Sequence, residues 1–136
     1  MATRRMISKE IFELESFRTM PASSKTLYAY LVLWADDEGF VGNPLTVVDI
    51  SKCTIDDLNF LILKNFVIGF DTGVVVITDW NAFNKVQPSR FQDTKFKFER
   101  LLLKVSTDGR ERYIPTSVNE STDVMRNVGI VNKFGF

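Results

Sequence analysis

Apolar residues recur at helical spacing along the beginning of the chain. Ser8 is a suitable N-cap for a first helix, and Ile11, Leu14 and Phe17 share one face of it. The pattern therefore predicts a helix from Ser8 to about Phe17.

The widest apolar stripe belongs to a second predicted helix, which Ser23 or Ser24 can cap and which ends near residue 35. Leu27, Leu31 and Trp34 follow one another at i, i+4 and i+7. A stripe of this width is typical of the central, most buried helix of a small domain. An aromatic ligand box is the alternative use of part of this helix, and the pattern favours the core. That box would consist of Tyr28, Tyr30 and Trp34.

Two shorter helices follow, each with a start signal. Asn43-Pro44 supplies an N-cap and a proline at the first helical position, which predicts a helix from 45 to about 52. Thr54 and Asp57 resemble a capping box and predict a helix over 55–65. The inward face of that helix would contain Leu58, Leu61 and Ile62.

Beyond residue 66 the pattern changes to short β-branched runs. Residues 67–70 and 74–78 predict two strands, joined by a three-residue connection in which Gly73 supplies a positive φ. Phe40-Val41, which precedes the two shorter helices, is too short to be more than one extended rung. It can pair with the hairpin, because three strands on a helical base are stable where two are marginal.

The pattern loosens after Trp80. Pro88 prevents a continuous helix there, and helical spacing resumes in a basic amphipathic helix predicted from about Asp93 to Lys104. A competing interpretation takes residues 96–98 as a strand. The chain from 115 to 136 is polar and is predicted to be a mobile tail.

The order of these elements predicts the fold class. It is α+β, mainly α: a winged helix-turn-helix, with a three-helix core plus a β-hairpin wing and a C-terminal extension. We expect the winged-helix domain to span 1–88, a basic and partly helical extension to span 89–114, and the tail to span 115–136.

Composition excludes several classes of chemistry. The 136 residues include no histidine and one cysteine, so Ser-His-Asp and Cys-His nucleophiles and Cys/His zinc sites cannot form. No glycine-rich phosphate loop is present, so we expect a protein that is not an enzyme and has no cofactor. A metal-dependent enzyme using Asp36, Asp37 and Glu38 is a third hypothesis, although a lone acidic turn is more often a solvated loop. No apolar run is long enough to cross a bilayer, and the single cysteine favours a cytoplasmic setting.

Charge is distributed unevenly although the formal net charge is zero. Residues 21–80 carry three basic and eight acidic side chains, whereas residues 81–114 carry eight basic and four acidic ones. Such asymmetry can give a neutral protein one side that faces a polyanion. The alternative is that both sets of charges merely solvate their surfaces.

The chain also resembles the N-terminal domain of phage replisome organisers and DnaD-like replication-initiation proteins over roughly residues 1–100. Because the pieces match in sequential order, together they are more specific than any one of them. The resemblance implies a winged-helix fold and a role in phage DNA replication: binding of origin DNA, self-association and recruitment of helicase-loading partners. The residues that carry it are RRMISKEI at 4–11, Met20-Pro21, Leu27-Tyr28, ADDEGFV at 35–41, Asn43-Pro44, LILKNFVI at 61–68, VVVI at 74–77, Trp80, Asn84, Arg90 and Thr94.

The usual DNA-reading helix of this fold would be the one predicted over 55–65. Its first turn carries Asp56 and Asp57, which phosphates repel, and only Asn59 and Lys64 suit contact with DNA. We therefore expect basic residues outside this helix to hold the phosphate backbone. The candidates are Arg4, Arg5, Lys85, Arg90, Lys95, Lys97, Arg100 and Lys104.

Apolar residues suggest two further roles. Phe91, Phe96 and Phe98 could stack on single-stranded bases, but packing of the last helix onto the domain is favoured. Phe60 and Leu63 would point away from the core and are candidates for protein interaction. We thus expect DNA, duplex or single-stranded, and further copies of the chain as partners. A winged-helix transcriptional regulator is the alternative function.

Overall fold

Seven helices and six strands lie within the part of the chain that this computed structural model describes, residues 5–84, 88–116, 129–131 and 134. The class is α+β, with antiparallel strand pairing. The helices are α1 (Lys9–Glu13), α2 (Glu15–Arg18), α3 (Ala22–Trp34), α4 (Pro44–Ser51), α5 (Ile55–Leu63), α6 (Trp80–Phe83) and α7 (Lys97–Leu101). The strands are β1 (Phe40–Val41), β2 (Val67–Phe70), β3 (Val75–Ile77), β4 (Leu103–Ser106), β5 (Arg112–Pro115) and β6 (Ile130–Val131).

The first predicted helix is interrupted. Ser8 caps α1 as expected, because its hydroxyl accepts a hydrogen bond from the Glu10 amide at 3.0 Å. The prediction of one helix to Phe17 is wrong, because Leu14 is extended, with φ −62° and ψ 138°, and separates α1 from α2. This break lets both Ile11 and Phe17 become fully buried.

The middle of the chain follows the predicted order. The sequence of elements is α3, β1, α4, α5, β2 and β3, and β1 pairs with β3 as the short rung was expected to do. Strands β2 and β3 form the predicted hairpin, with Gly73 at φ +88° in its turn. The capping box of α5 is also present, with Thr54 and Asp57 bonded to each other's backbone amides.

The predicted basic helix is largely replaced by other structure. Only the five residues of α7 are helical, and β4 follows to form a hairpin with β5. The competing strand over 96–98 is not formed either, because Phe96 directly precedes α7. The helix ends where the chain enters β4: Leu103 is buried in the core and pairs with Pro115 of β5. Glu99, within α7, is buried and accepts a hydrogen bond from the Thr72 hydroxyl at 2.7 Å.

The C-terminal residues contribute to the same core. Tyr113 is buried in the cluster that also holds the apolar residues of α3, and its backbone amide donates to Thr78 O at 2.8 Å. Strand β6 extends the main sheet, whose order is β1-β3-β2-β6. The expected tail from 115 therefore includes one strand, and residues 117–128 lie outside the described part. Among the described helices, none is long and apolar enough to cross a membrane.

Candidate nucleic-acid interface

The loop between α3 and β1 carries three carboxylates, Asp36, Asp37 and Glu38, which we call the acidic loop. Asp36 Oδ1 accepts hydrogen bonds from the amides of Glu38 and Phe40 at 2.9 and 3.0 Å. Asp36 Oδ2 accepts one from the Thr94 hydroxyl at 2.6 Å. The first carboxylate thus shapes the loop itself and binds the segment before α7.

The other two carboxylates bind more distant residues. Asp37 Oδ1 lies 3.0 Å from Arg5 Nη1, and its Oδ2 accepts from the Gln92 amide at 3.0 Å. Glu38 Oε1 lies 3.3 Å from Arg100 Nε, and its Oε2 accepts from the Thr94 amide at 2.7 Å. All six carboxylate oxygens of the acidic loop therefore have protein donors. Through these bonds the loop holds residue 5 and residues 92–100 against the domain.

The backbone of the acidic loop is bound as well. Asp37 O accepts from Trp80 Nε1 at 2.9 Å, and Glu38 O accepts from the Tyr113 hydroxyl at 2.7 Å. Gly39 closes the loop at φ +91°, and a Cβ there would lie 2.6 Å from Trp80 Cγ. Only glycine fits this close approach without strain.

Two of the predicted DNA-binding residues are engaged inside the protein. The Arg5 side chain is only 5% exposed, donates twice to Ala35 O at 2.8 and 3.2 Å, and stacks over the Trp80 ring. Arg100 donates to Leu103 O at 2.8 Å in addition to its ion pair with Glu38. Their guanidinium groups hold the fold together and are poorly placed to neutralise phosphates.

Other predicted cations remain at the surface. Lys95 lies over the Phe96 ring, and Lys97 is 3.9 Å from Asp93 in an exposed pair. Arg90 and Lys104 are exposed as well. The remaining two predicted cations, Arg4 and Lys85, fall outside the described residues.

A groove of about 710 Å³ lies beside the acidic loop. Trp34 contributes to its wall, is 44% exposed and stacks nearly parallel on Tyr30, with ring centroids 6.1 Å apart. The sequence pattern placed Trp34 on the core stripe of α3, and that prediction is wrong, whereas Leu27 and Leu31 of the same stripe are buried, as is Tyr28. Lys95, Phe96 and Asn43 also line the groove.

The three phenylalanines of the basic segment differ from one another. Phe96 packs over Gly42, where a Cβ would lie 2.5 Å from Phe96 Cζ, so packing explains this ring. Phe91 and Phe98 are exposed instead, and the packing expectation is wrong for them. These two rings are the ones available for stacking with an external group.

Helix α5 presents little to DNA. Asp57 is buried; burial by itself would raise the pKa of its carboxyl, but hydrogen bonds from Ser23, Thr54 and Ser24 hold that pKa below its usual value. Asn59 binds the backbone of Phe134, with Nδ2 2.7 Å from its O and Oδ1 2.6 Å from its N. This partner could not have been found from sequence, because 75 residues separate the two.

The end of α5 carries the candidates for protein interaction. Leu63 is 72% exposed, as expected of an interaction residue. Phe60 is half-buried against the core, and Lys64 lies over its ring with Nζ 5.9 Å from the centroid. Lys64 itself is exposed. Of this group, Leu63 and Lys64 are therefore the accessible ones.

Sequence analysis missed a second acidic centre at Asp79. This residue is 1% exposed, and its Oδ1 lies 3.0 Å from Arg110 Nε and 3.7 Å from Arg112 Nε. Its Oδ2 has no hydrogen-bond partner among the described residues. Burial raises the pKa of the Tyr28 hydroxyl well above its usual value, and the charge of Asp79 raises it further, against an opposing effect of Arg110.

We compared the chain with protein-family models, with curated proteins and with solved structures, and none of them matches it.

Proposed function

We propose that this chain is a non-enzymatic winged-helix protein of DNA-replication initiation, similar to phage replisome organisers, which binds DNA and assembles with itself or with replication partners. The observation that carries the proposal is the element order α3, β1, α4, α5, β2 and β3, in which β1 pairs with the second strand of the β2–β3 hairpin. A winged helix elaborates a helix–turn–helix in this order, and the order therefore supports the proposal. The sequence resemblance over residues 1–100 supplies the replication role.

The exposed cations favour binding through the phosphate backbone. Lys95, Lys97 and Lys104 are exposed within 10 residues of one another. Arg100 and Glu99, which lie between them in the chain, anchor this segment to the domain. Contacts of this kind provide affinity that depends on salt but no sequence readout. A protein that spreads along DNA during initiation needs such binding.

The state of α5 favours this function over that of a sequence-reading transcriptional regulator. A regulator would read base edges with Asn59 and Lys64. The side-chain amide of Asn59 already donates a hydrogen bond to Phe134 O and accepts one from Phe134 N. Base readout by this helix would first require loss of those two bonds.

Exposed aromatic residues suggest that single strands are a ligand alongside duplex DNA. Phe91 and Phe98 are exposed next to Arg90 and Lys97 along the chain. Aromatic rings interleaved with cations are the usual means of binding unpaired bases without sequence preference. Retention of single-stranded DNA should therefore be at least comparable to retention of a duplex of equal length.

The test is a salt series of binding to duplex and single-stranded DNA of unrelated sequences, with light scattering to detect assembly. The triple variant K95E/K97E/K104E should lose most of its affinity and flatten the salt slope. Each lost phosphate contact reduces that slope by about 0.9 for duplex and about 0.7 for single strands. The control K9E/R18E/K52E makes the same change in net charge at exposed positions elsewhere.

Equal losses in both triple variants would show that binding depends on net charge alone and would contradict the proposed site. Tight binding to a single palindrome, abolished by N59A, would instead identify a regulator. Absence of any DNA retention at low salt would remove the proposal itself.

A further inference from the structure

The groove beside the acidic loop has on its wall a tryptophan that the core leaves exposed. Trp34 is 44% exposed, whereas Trp80, the other tryptophan of the chain, is 1% exposed. Tyr30 lies against one face of the Trp34 ring, with an angle of 7° between the two planes. A flat external group can therefore stack on the opposite face of Trp34.

Phe96 is a second aromatic side chain of the groove, and its position is fixed. Its ring centroid lies 6.3 Å from that of the buried Phe40, and a Cβ on Gly42 would lie 2.5 Å from Phe96 Cζ. Only glycine at position 42 leaves room for this ring. The groove measures about 710 Å³, and sites for small organic ligands measure roughly 300–1,000 Å³. It is thus large enough for a nucleotide.

The carboxylates around the groove are already engaged. All four oxygens of Asp36 and Asp37 have donors within the protein. The remaining carboxylate, Asp93, forms an exposed pair with Lys97. A cationic ligand would have to compete with these protein donors, so the acidic residues do not favour one.

The polar groups still free to bind a ligand are two amides and an ammonium group. Asn43 precedes α4 without capping it, and Gln92 uses only its backbone amide, which donates to Asp37. Lys95 is exposed, and its Nζ lies 5.4 Å from the centroid of the Phe96 ring. Side-chain amides both donate and accept, as the edge of a nucleobase requires, and an ammonium group suits a phosphate.

We infer that this groove holds one unpaired base of a single DNA strand, stacked on Trp34, with its edge bonded by Asn43 and Gln92 and an adjacent phosphate beside Lys95. A base within a duplex has both faces covered by its neighbours, so the site selects unpaired strands. The inference rests on the DNA binding that we propose above, to which it adds a site for the base itself.

The first test uses tryptophan fluorescence of the full-length chain at low salt. The probes are a single-stranded deoxyadenosine oligomer and an abasic oligomer of equal length, which has the same backbone charge and no bases. We expect the deoxyadenosine oligomer to quench the emission and to protect Trp34 from acrylamide. The abasic oligomer should be retained through its phosphates without quenching. In W34F only the buried Trp80 emits, and the quenching should disappear.

The second test compares affinities of matched variants. W34A should weaken retention of the deoxyadenosine oligomer roughly tenfold, the usual value of one base–aromatic stack, and leave retention of the abasic oligomer unchanged. The control is L33A, at a neighbouring residue that is 49% exposed and does not line the groove. It should leave both affinities unchanged.

A third variant, N43A/Q92A, removes the two amides without removing any side-chain hydrogen bond within the described part of the chain. We expect a severalfold loss of affinity for the deoxyadenosine oligomer and none for a duplex. This variant tests the site independently of the packing of Trp34 on Tyr30.

Three results would overturn the inference: equal effects of W34A and L33A, equal quenching by the abasic oligomer, or unchanged affinity in N43A/Q92A. Each of them leaves DNA binding, and with it the proposed function, intact and assigns the contact to the backbone cations alone. Failure of the parent chain to retain either oligomer at low salt would remove the proposed function together with the inference.

Discussion

The acidic loop and Asp79 both bind arginines that are distant in the sequence, yet they do so in opposite ways. The acidic loop is partly exposed, with 11% of the Asp37 side chain and 17% of the Glu38 side chain accessible, and each of its six carboxylate oxygens has a donor. Asp79 is buried, one of its oxygens is shared by two arginines, and the other has no partner among the described residues. The first centre is a network of modest, mutually supporting bonds, whereas the second depends on a single buried charge being compensated.

This difference predicts how the two centres respond to substitution. Loss of one bond from a satisfied, half-buried network costs about the value of that bond. Loss of the compensating charge from a buried carboxylate costs far more, because the carboxylate is left without compensation in a poorly solvated place.

The largest expected effect is therefore that of R110Q/R112Q. Removing both positive charges around Asp79 should lower the free energy of unfolding by roughly 3–5 kcal/mol, measured by urea denaturation. Adding D79N to this variant should restore a large part of the loss, since the uncompensated charge is gone.

The control for that experiment is R100Q, which removes the arginine of the Arg100–Glu38 pair, whose side chains are 33% and 17% exposed. Its cost should be about 1–2 kcal/mol, most of it from the bond to Leu103 O. A larger loss in R100Q than in R110Q/R112Q would reverse the proposed ranking of the two centres.

Asp36 is the position at which the acidic loop itself is most sensitive. D36A removes the acceptor of the Glu38 and Phe40 amides and of the Thr94 hydroxyl, and should cost about 3 kcal/mol. D36N keeps one acceptor oxygen and should cost less than half as much. Equal losses in the two variants would mean that the charge of Asp36, and not its hydrogen bonds, shapes the loop.

The sequence predicted what is decided by neighbouring residues. The Ser8 cap, the Thr54 capping box and the Gly73 turn each involve residues within a few positions of one another, and all three are present. The pairing of β1 with the hairpin could also be predicted, because a two-residue extended segment is not stable without a neighbouring strand.

Features decided by distant residues could not be predicted. The helix expected over 93–104 is cut short because Leu103 enters the core as part of β4, which pairs with β5. The uneven distribution of charge can be read from the sequence. Which cations the acidic loop binds cannot, because Arg5 and Arg100 lie 32 and 62 residues from their partners Asp37 and Glu38. Lys95 and Lys97 stay exposed. The sequence therefore predicts a set of basic residues as the candidate site, and the fold takes two of them, Arg5 and Arg100, into bonds within the protein.

The capping box of α5 gives a prediction that depends on pH. Hydrogen bonds hold the folded-state pKa of Asp57 below its usual value, so its contribution is present above the unfolded pKa of about 3.9 and is lost as the pH falls through the folded pKa. D57N should be less stable than the parent chain by about 1 kcal/mol at neutral pH. The difference should shrink in acid, which urea denaturation between pH 7 and 3 would reveal.

S23A removes only one of the donors to Asp57, at 2.6 Å, and serves as the partial control. Its pH dependence should lie between those of the parent chain and D57N. A gap between the parent chain and D57N that stays constant down to pH 3 would show that the protonation of Asp57 does not contribute to stability.

The smallest effect on stability is expected where the function is proposed. Lys97 and Asp93 form an exposed pair at 3.9 Å, both more than half exposed, and such pairs contribute about 0–1 kcal/mol. K97Q should therefore leave the urea midpoint of unfolding almost unchanged. It should weaken DNA retention and reduce the salt slope of duplex binding by about 0.9, the value of one phosphate contact. R100Q should do the reverse, with a measurable loss of stability and, under conditions in which it stays folded, little loss of DNA binding. If R100Q and K97Q weaken DNA binding equally, the arginine bound by Glu38 is also available to phosphates, and the separation between structural and functional cations drawn from their burial is wrong.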